Sequence, residues 1–148
     1  MEVLNQGVEE GLFRHILESI RGAGFYTMLG IELCSLGPGQ AELAVVPDQR
    51  HANPLGGVHG GLIASLADAA MGNAVRSLGI RGVTVECGVS YMGAATMRDP
   101  LRGRGRVVKA GHHLVFAEAD VLSGERLVSQ AKGVFFRTGD ILVGESGQ

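Results

Sequence analysis

A polar, glycine-dense run, Asn53-Pro54-Leu55-Gly56-Gly57-Val58-His59-Gly60-Gly61, leads straight into a stretch with almost no polar side chains. Its prolyl and glycyl residues mark a loop. Beyond it, Leu62, Ile63, Leu66, Ala67, Ala70, Met71, Ala74, Val75 and Leu78 recur at helical spacing. The other side of that helix carries Ala64, Ser65, Asp68, Ala69 and Gly72, which is hardly a solvent face. A helix without a polar face is expected to be buried on all sides, so other elements must wrap around it. Asp68 is then a carboxylate placed where charge is costly unless it has a partner or a task.

The start of this helix has its own chemistry. Gly60 and Gly61 leave the first-turn N–H groups unshielded by side chains, at the positive end of the helix dipole. Such an end suits an anion or a developing oxyanion. Asp68 lies mid-helix and cannot cap its own helix. It is either a structural carboxylate paired elsewhere or a base tuned by apolar surroundings. Gly60 and Asp68 are eight residues apart, roughly 12 Å along a helix axis. Two groups so spaced cannot grip one small reacting centre. If both serve one site, Gly60 of one protomer meets the partner's Asp68, which predicts a shared, symmetric dimer site.

The rest of the chain supplies the wrapping. Residues 2–22 read as an amphipathic helix, with Val3, Leu4, Val8, Leu12, Ile16 and Ile20 on one stripe and Gly22 and Gly24 ending it. Phe25 to Leu36 gives a short approach and a strand, in which Ile31, Leu33 and Ser35 alternate with Glu32, Cys34 and Leu36. Gly37-Pro38-Gly39 is a turn, and Ala41 to Val46 the returning strand. After the helix come four strand-like segments, about 82–93, 100–110, 113–123 and 126–137, separated by tight turns that indicate antiparallel neighbours. The arrangement is α+β, one domain with a helix on one sheet face, and the tail from Gly139 to Gln148 is expected to fray.

Composition excludes some classes. A net charge of −2 gives no reason to expect a nucleic-acid partner. No apolar run approaches the ~20 residues of a membrane span, and the first residues lack the pattern of a signal peptide, so a cytoplasmic location is expected. Cys34 and Cys87, in predicted strands, read as buried free thiols. No His, Cys or acid cluster has metal spacing, so neither a metal nor a separate cofactor is expected. The 24 glycines fall within apolar segments and read as turns and sites of close backbone approach.

Several residues have two readings. Asn53 is a turn former or a site residue. His59 is an N-terminal hydrogen-bonding residue of the helix or a supporting contact to substrate. Thr84 is an ordinary strand threonine unless it serves Asp68. Arg102, Arg104 and Arg106 share one strand face and read as solvated. Lys109-Ala110-Gly111-His112-His113 forms a hairpin turn whose basic side chains and open N–H groups suit phosphates. Met71, Met92 and Met97 are core packing or an adaptable pocket wall.

Taken together, Asn53, His59-Gly60-Gly61, Leu66-Ala67-Asp68, Gly82-Val83-Thr84-Val85 and Val89-Ser90-Tyr91 resemble the hotdog-fold acyl-CoA thioesterases, and most of all their phenylacetate-pathway (PaaI-like) subgroup. The likeness runs from about Phe25 to Phe136. It implies a hotdog domain over 25–138 preceded by an N-terminal helix (1–24) and followed by a tail (139–148). It implies a long helix wrapped by a curved antiparallel sheet, dimers made by sheet continuation, and often dimers of dimers. It implies hydrolysis of an acyl-CoA, with an aromatic group such as phenylacetyl or hydroxyphenylacetyl or a medium-chain acyl group, so that coenzyme A enters only as part of the substrate. Catalytic roles fall on Asp68, Gly60, Asn53, His59 and Thr84, with Thr84 near the carboxylate and its water. The 109–113 turn, with Tyr91, lies against the coenzyme A. A non-catalytic acyl-CoA-binding protein on the same fold is the alternative. A hotdog dehydratase would use an active-site histidine with an acid, and a nucleotide binder would need a phosphate-loop motif absent here.

Overall fold

The structure, a computed structural model, describes residues 2–143. In chain order the elements are β1 (Leu4–Asn5), α1 (Glu10–Gly22), α2 (Gly24–Leu29), β2 (Glu32–Gly37), β3 (Gln40–Val45), a 3-10 turn (Gln49–His51), α3 (Gly60–Arg76), β4 (Ile80–Tyr91), β5 (Leu101–Ala110), β6 (Leu114–Ser123) and β7 (Arg126–Asp140). One seven-stranded sheet, ordered β1-β2-β3-β5-β6-β7-β4, curves around α3. All pairings are antiparallel except the two-residue β1 with β2. This is the expected α+β wrapping, and it is the hotdog fold.

Helix α3 starts and ends as its sequence predicts. Leu66, Ala67, Ala70, Met71 and Ala74 have no exposure, so Met71 is core and not a pocket wall. The helix is not buried all round, however: Ala64, Ser65, Asp68 and Gly72 are half-buried and form a stripe that the sheet leaves partly uncovered.

The glycines of β5 explain how the sheet comes so close. Arginine and glycine alternate from Arg102 to Arg106, and Gly103 and Gly105 are buried against α3. A Cβ on Gly103 would stand 2.9 Å from Leu66 Cγ, and one on Gly105 would overlap the Ala70 carbonyl. The intervening arginines face outward, but they are paired and not merely solvated. Arg104 Nε lies 3.2 Å from Glu42, directly across on β3, and Arg106 Nη2 lies 2.7 Å from Glu118, directly across on β6. Gly105→Ala must push helix from sheet. Such overpacking costs about 1–3 kcal/mol or more, to be read as a lower urea midpoint.

Other expectations need correction. The N-terminal helix begins at Glu10, not residue 2, because Asn5 Oδ1 accepts from the N–H groups of Gly7 and Val8, and Gly7 adopts φ 118°. Leu4 is accordingly 56% exposed in β1 and off the helical stripe, whereas Phe13, Ile16 and Ile20 are buried. Residues 24–29 are a short helix where a strand approach was expected. In β2 a bulge between Leu33 and Ser35 shifts the alternation, so that Leu36 is fully buried in place of Ser35. Cys34 is half-buried and Cys87 exposed, so neither is a core thiol.

The last four strands do not form one meander. Strand β4 crosses to the far edge and pairs with β7, while β5 returns to pair with β3. The link from Met92 to Pro100 is too long for a hairpin. It runs across the strand ends, with Met92 N–H donating to Val128 O at 2.8 Å and Gly124 N–H to Pro100 O at 3.0 Å. At the other end of the chain, β7 continues through Gly139 and Asp140, and Ile141 N–H donates to Gly79 O at 2.8 Å. Only residues 144–148 of the expected tail lie outside the described residues.

Candidate active site

Asp68 lies in the uncovered stripe of α3, and Thr84 Oγ1 donates to its Oδ1 at 2.9 Å. A bulge makes this contact possible. Thr84 pairs with Phe135 and Glu86 with Val134, leaving Val85 over. The extra residue resets the alternation, so that Thr84, Cys87, Val89 and Tyr91 all turn toward α3. Asp68 lines a cavity of about 370 Å³, with Ala64, Ser65 and Ala69 of its own helix, Phe25 and Tyr26 of α2, and Cys87 and Val89 of β4.

The groups in this cavity differ in what they can do. Partial desolvation where its side chain faces α3, and then the Asp68 charge, push the Cys87 thiol above its ordinary pKa, so it stays protonated and is a poor nucleophile beside the carboxylate. Burial likewise raises the Tyr26 phenol, which remains neutral. Tyr26 Oη accepts from Asn73 Nδ2 at 3.0 Å, and Asn73 in turn accepts from Arg76 at 3.0 Å.

The other end of α3 is built by the loop before it. His51 is 3% exposed, its Nδ1 accepting from Asp48 N–H at 3.0 Å and its Nε2 bonded to Leu29 O at 2.7 Å. Asp48 is held down to a pKa of about 2 by the Arg50 guanidinium and N–H, and Arg50 reaches back to Met28 O. The loop is thus tied to the end of α2. Asn53 closes the next turn, its Oδ1 accepting from Leu55 and Gly57 N–H at 2.9 and 3.0 Å. Its turn-forming role is therefore real, and its amide NH₂ keeps no partner among the described residues. His59 caps the helix: its Nδ1 accepts from Gly61 N–H at 2.7 Å, and its carbonyl accepts from Leu62 N–H at 3.0 Å. The Gly60 N–H finds no acceptor among the described residues. Tyr91 leans on this tip, its hydroxyl donating to Gly60 O at 2.7 Å.

So the fold joins Thr84 to Asp68, and Tyr91 to Gly60, as two clusters on one helix. The Lys109–His113 turn belongs to neither within a single chain. Arg137 N–H donates to His113 O, and Arg137 pairs with Gly82, whereas Tyr91 pairs with Ser129, eight residues away on β7. At about 3.3 Å per residue that puts the turn and Tyr91 roughly 26 Å apart. Sequence reasoning missed Phe25, Tyr26 and Cys87. The six-residue α2 that carries two of them has no periodicity to detect, and Cys87 was assigned to the core. Among the described residues, no group of three or more His, Cys, Asp or Glu is placed to hold a metal, and no helix is long and apolar enough to cross a membrane.

Comparison with known proteins agrees with this geometry. Residues 55–130 match the thioesterase superfamily. A Pseudomonas aeruginosa protein named only provisionally as an esterase is 40% identical over 99 residues, 65% of this chain and 74% of that one. Human acyl-coenzyme A thioesterase 13 is 29% identical over 125 residues, 80% and 89% of the two chains. Among solved structures, the phenylacetic acid degradation protein PaaI of Thermus thermophilus, in mutant form, superposes with a TM-score of 0.74 at 27% identity over 78% of this chain and 99% of that one. A Streptococcus pneumoniae protein described as a hypothetical thioesterase, solved with coenzyme A, gives 0.79 at 25% identity, over 85% and 99%. The chain belongs to the thioesterase superfamily. The activity that goes with that membership is thioester hydrolysis, and the described likeness is to its PaaI-like members.

Proposed function

We propose that the chain hydrolyses acyl-CoA to the free acid and CoA in a site shared between two protomers. The observation that carries this is the division of the chemistry into two clusters, a carboxylate with its threonine and a helix tip with an unclaimed N–H. The CoA carried by the streptococcal neighbour and the name of the human relative support the choice of thioester.

Strand β4 supports the pairing. It is a twelve-residue edge strand, with Val83, Val85 and Tyr91 each more than half exposed, and it has neither the proline nor the lysine that usually blunts a free edge. The opposite edge is guarded by brevity, since β1 has two residues. Antiparallel pairing of β4 with its copy, about a two-fold axis near Cys87 and Gly88, sets Thr84 beside the Tyr91 end of the other chain. Asp68 then faces the partner's Gly60. The same operation brings the partner's Lys109–His113 turn toward Tyr91, where its basic groups suit the phosphates of CoA.

In that site the thioester carbonyl oxygen accepts from the Gly60 N–H, which strengthens as charge develops on the oxygen. The partner's Asp68 takes a proton from water, whose oxygen bonds to the carbonyl carbon. Collapse breaks the C–S bond, and the thiolate recovers the proton. In a second route the carboxylate attacks the carbonyl carbon and expels the CoA thiolate, and water then adds at the aspartyl carbon of the mixed anhydride, releasing the acid while its proton passes to the thiolate. A single turnover in ¹⁸O-water separates them, because only the second puts label into the Asp68 carboxyl. Thr84 fixes Asp68, and the free amide of Asn53 is available to orient the thioester or water. His59 shapes the tip by occupying the Gly61 N–H. The Phe25 and Tyr26 wall suits small aromatic acyl groups, such as phenylacetyl.

A thiol-release screen over aromatic and aliphatic acyl-CoAs tests the reading. Binding without thiol release overturns it in favour of a non-catalytic binder. Thr84→Ala removes one hydrogen bond to a charged group and is expected to lower kcat about 10-fold. The dimers are proposed to pair through the outer sheet face, where Leu114, Phe116 and Phe136 are each about 40% exposed in one stripe. Replacing Phe116 and Phe136 together by Glu should reduce the mass seen by light scattering from tetramer to dimer.

A further inference from the structure

We infer that Tyr26 sets the length of acyl chain that the site accepts; this rests on the acyl-CoA reading above. Two cavities meet at this residue. One is the cavity of about 370 Å³ that holds Asp68. The other, of about 290 Å³, lies between α1, α2 and β2; Leu17, Ile20 and Leu33 give it one apolar wall, while Arg21, Thr27 and Glu32 line it as well. Among the described residues, Tyr26 and Ile31 alone line both. Ile31 is 3% exposed and part of the core, so the phenol ring of Tyr26 is the side chain that can open or close the passage.

The ring is held in place from behind. Asn73 Nδ2 donates to Tyr26 Oη at 3.0 Å and to Ala69 O at 2.8 Å. Asn73 Oδ1 accepts from Arg76 Nη1 at 3.0 Å, and Arg76 Nη2 donates to Ser19 Oγ on α1 at 2.7 Å. A relay across α2, α3 and α1 therefore fixes the partition. With the ring in place, an acyl group seated beside Asp68 ends at Tyr26. With it removed, the distal methylenes of an aliphatic chain enter the second cavity along its Leu17, Ile20 and Leu33 wall. A methylene that a pocket seats or rejects changes kcat/KM by about 10-fold or more.

The test compares kcat/KM for dodecanoyl-CoA with that for hexanoyl-CoA. Tyr26→Ala should raise this ratio by about 10-fold or more. Tyr26→Phe keeps the ring but loses the Asn73 bond, and its ratio should stay near that of the wild type; a shift as large as that of Tyr26→Ala would assign Tyr26 a merely structural role and overturn the gate. Adding Leu17→Trp to Tyr26→Ala refills the second cavity and should cancel the gain. Tyr26→Leu, a milder truncation, carries the same expectation should the alanine variant not fold. An unchanged ratio in a folded, active Tyr26→Ala or Tyr26→Leu enzyme, or a gain that survives Leu17→Trp, overturns the gate while leaving the thioesterase reading intact. Absence of thiol release by the wild type overturns that reading first, and the gate with it.

Discussion

Asp68→Asn is expected to lower kcat by about 1,000-fold, within the range for removing a general base or nucleophile, with the fold unchanged. The asparagine Oδ1 can still accept from Thr84 Oγ1, so the one side-chain hydrogen bond that Asp68 makes among the described residues survives. Stability should change by less than about 1 kcal/mol, since the group is half-buried and makes no ion pair among the described residues. Thiol release and thermal unfolding of the same preparation check both halves. Near-normal turnover would remove Asp68 from the chemistry.

The second large effect is expected at the helix tip. Gly60→Pro deletes a first-turn N–H that has no acceptor among the described residues, and proline suits the first helical position. The residue before it, His59, already has φ −66° and ψ 134°, the extended conformation that a following proline demands. The added ring meets Tyr91, whose aromatic carbons lie 3.3 Å from a Cβ built on Gly60, so Gly60→Ala is the control for crowding alone. Loss of a single oxyanion donor costs about 100- to 1,000-fold in kcat. The alanine variant keeps the N–H and should retain far more activity than the proline variant. Equal losses in both would assign the effect to Tyr91 packing and not to the hydrogen bond.

Much of the site's frame is legible in the residues themselves. The bounds of α3 follow from its glycine-led start and apolar periodicity. The eight-residue spacing of Gly60 and Asp68 is what points to a site shared between two chains. Other features depend on pairing and were not legible. Strand β4 has the same local pattern whether it neighbours β5 or β7, and its edge position is visible only once β3 has claimed β5. The Thr84–Asp68 contact needs the Val85 bulge, which no alternation pattern announces. The arginine-glycine alternation of β5 shows one solvent-side face, but its ion pairs and its fit against Ala70 require the partners across the sheet. Tyr26 was hidden for the opposite reason, since a six-residue helix is too short to carry a period.

The claim under all of this is that each reaction centre takes one cluster from each of two chains. Mixing the inactive Asp68→Asn and Gly60→Pro proteins under subunit exchange tests it most directly. A mixed dimer holds one site with both groups intact and one with both lost. Random pairing should therefore restore about a quarter of wild-type thiol release from two nearly silent preparations. If the mixture stays as silent as its components while mass spectrometry shows mixed dimers, both groups work within one chain and the shared site is wrong.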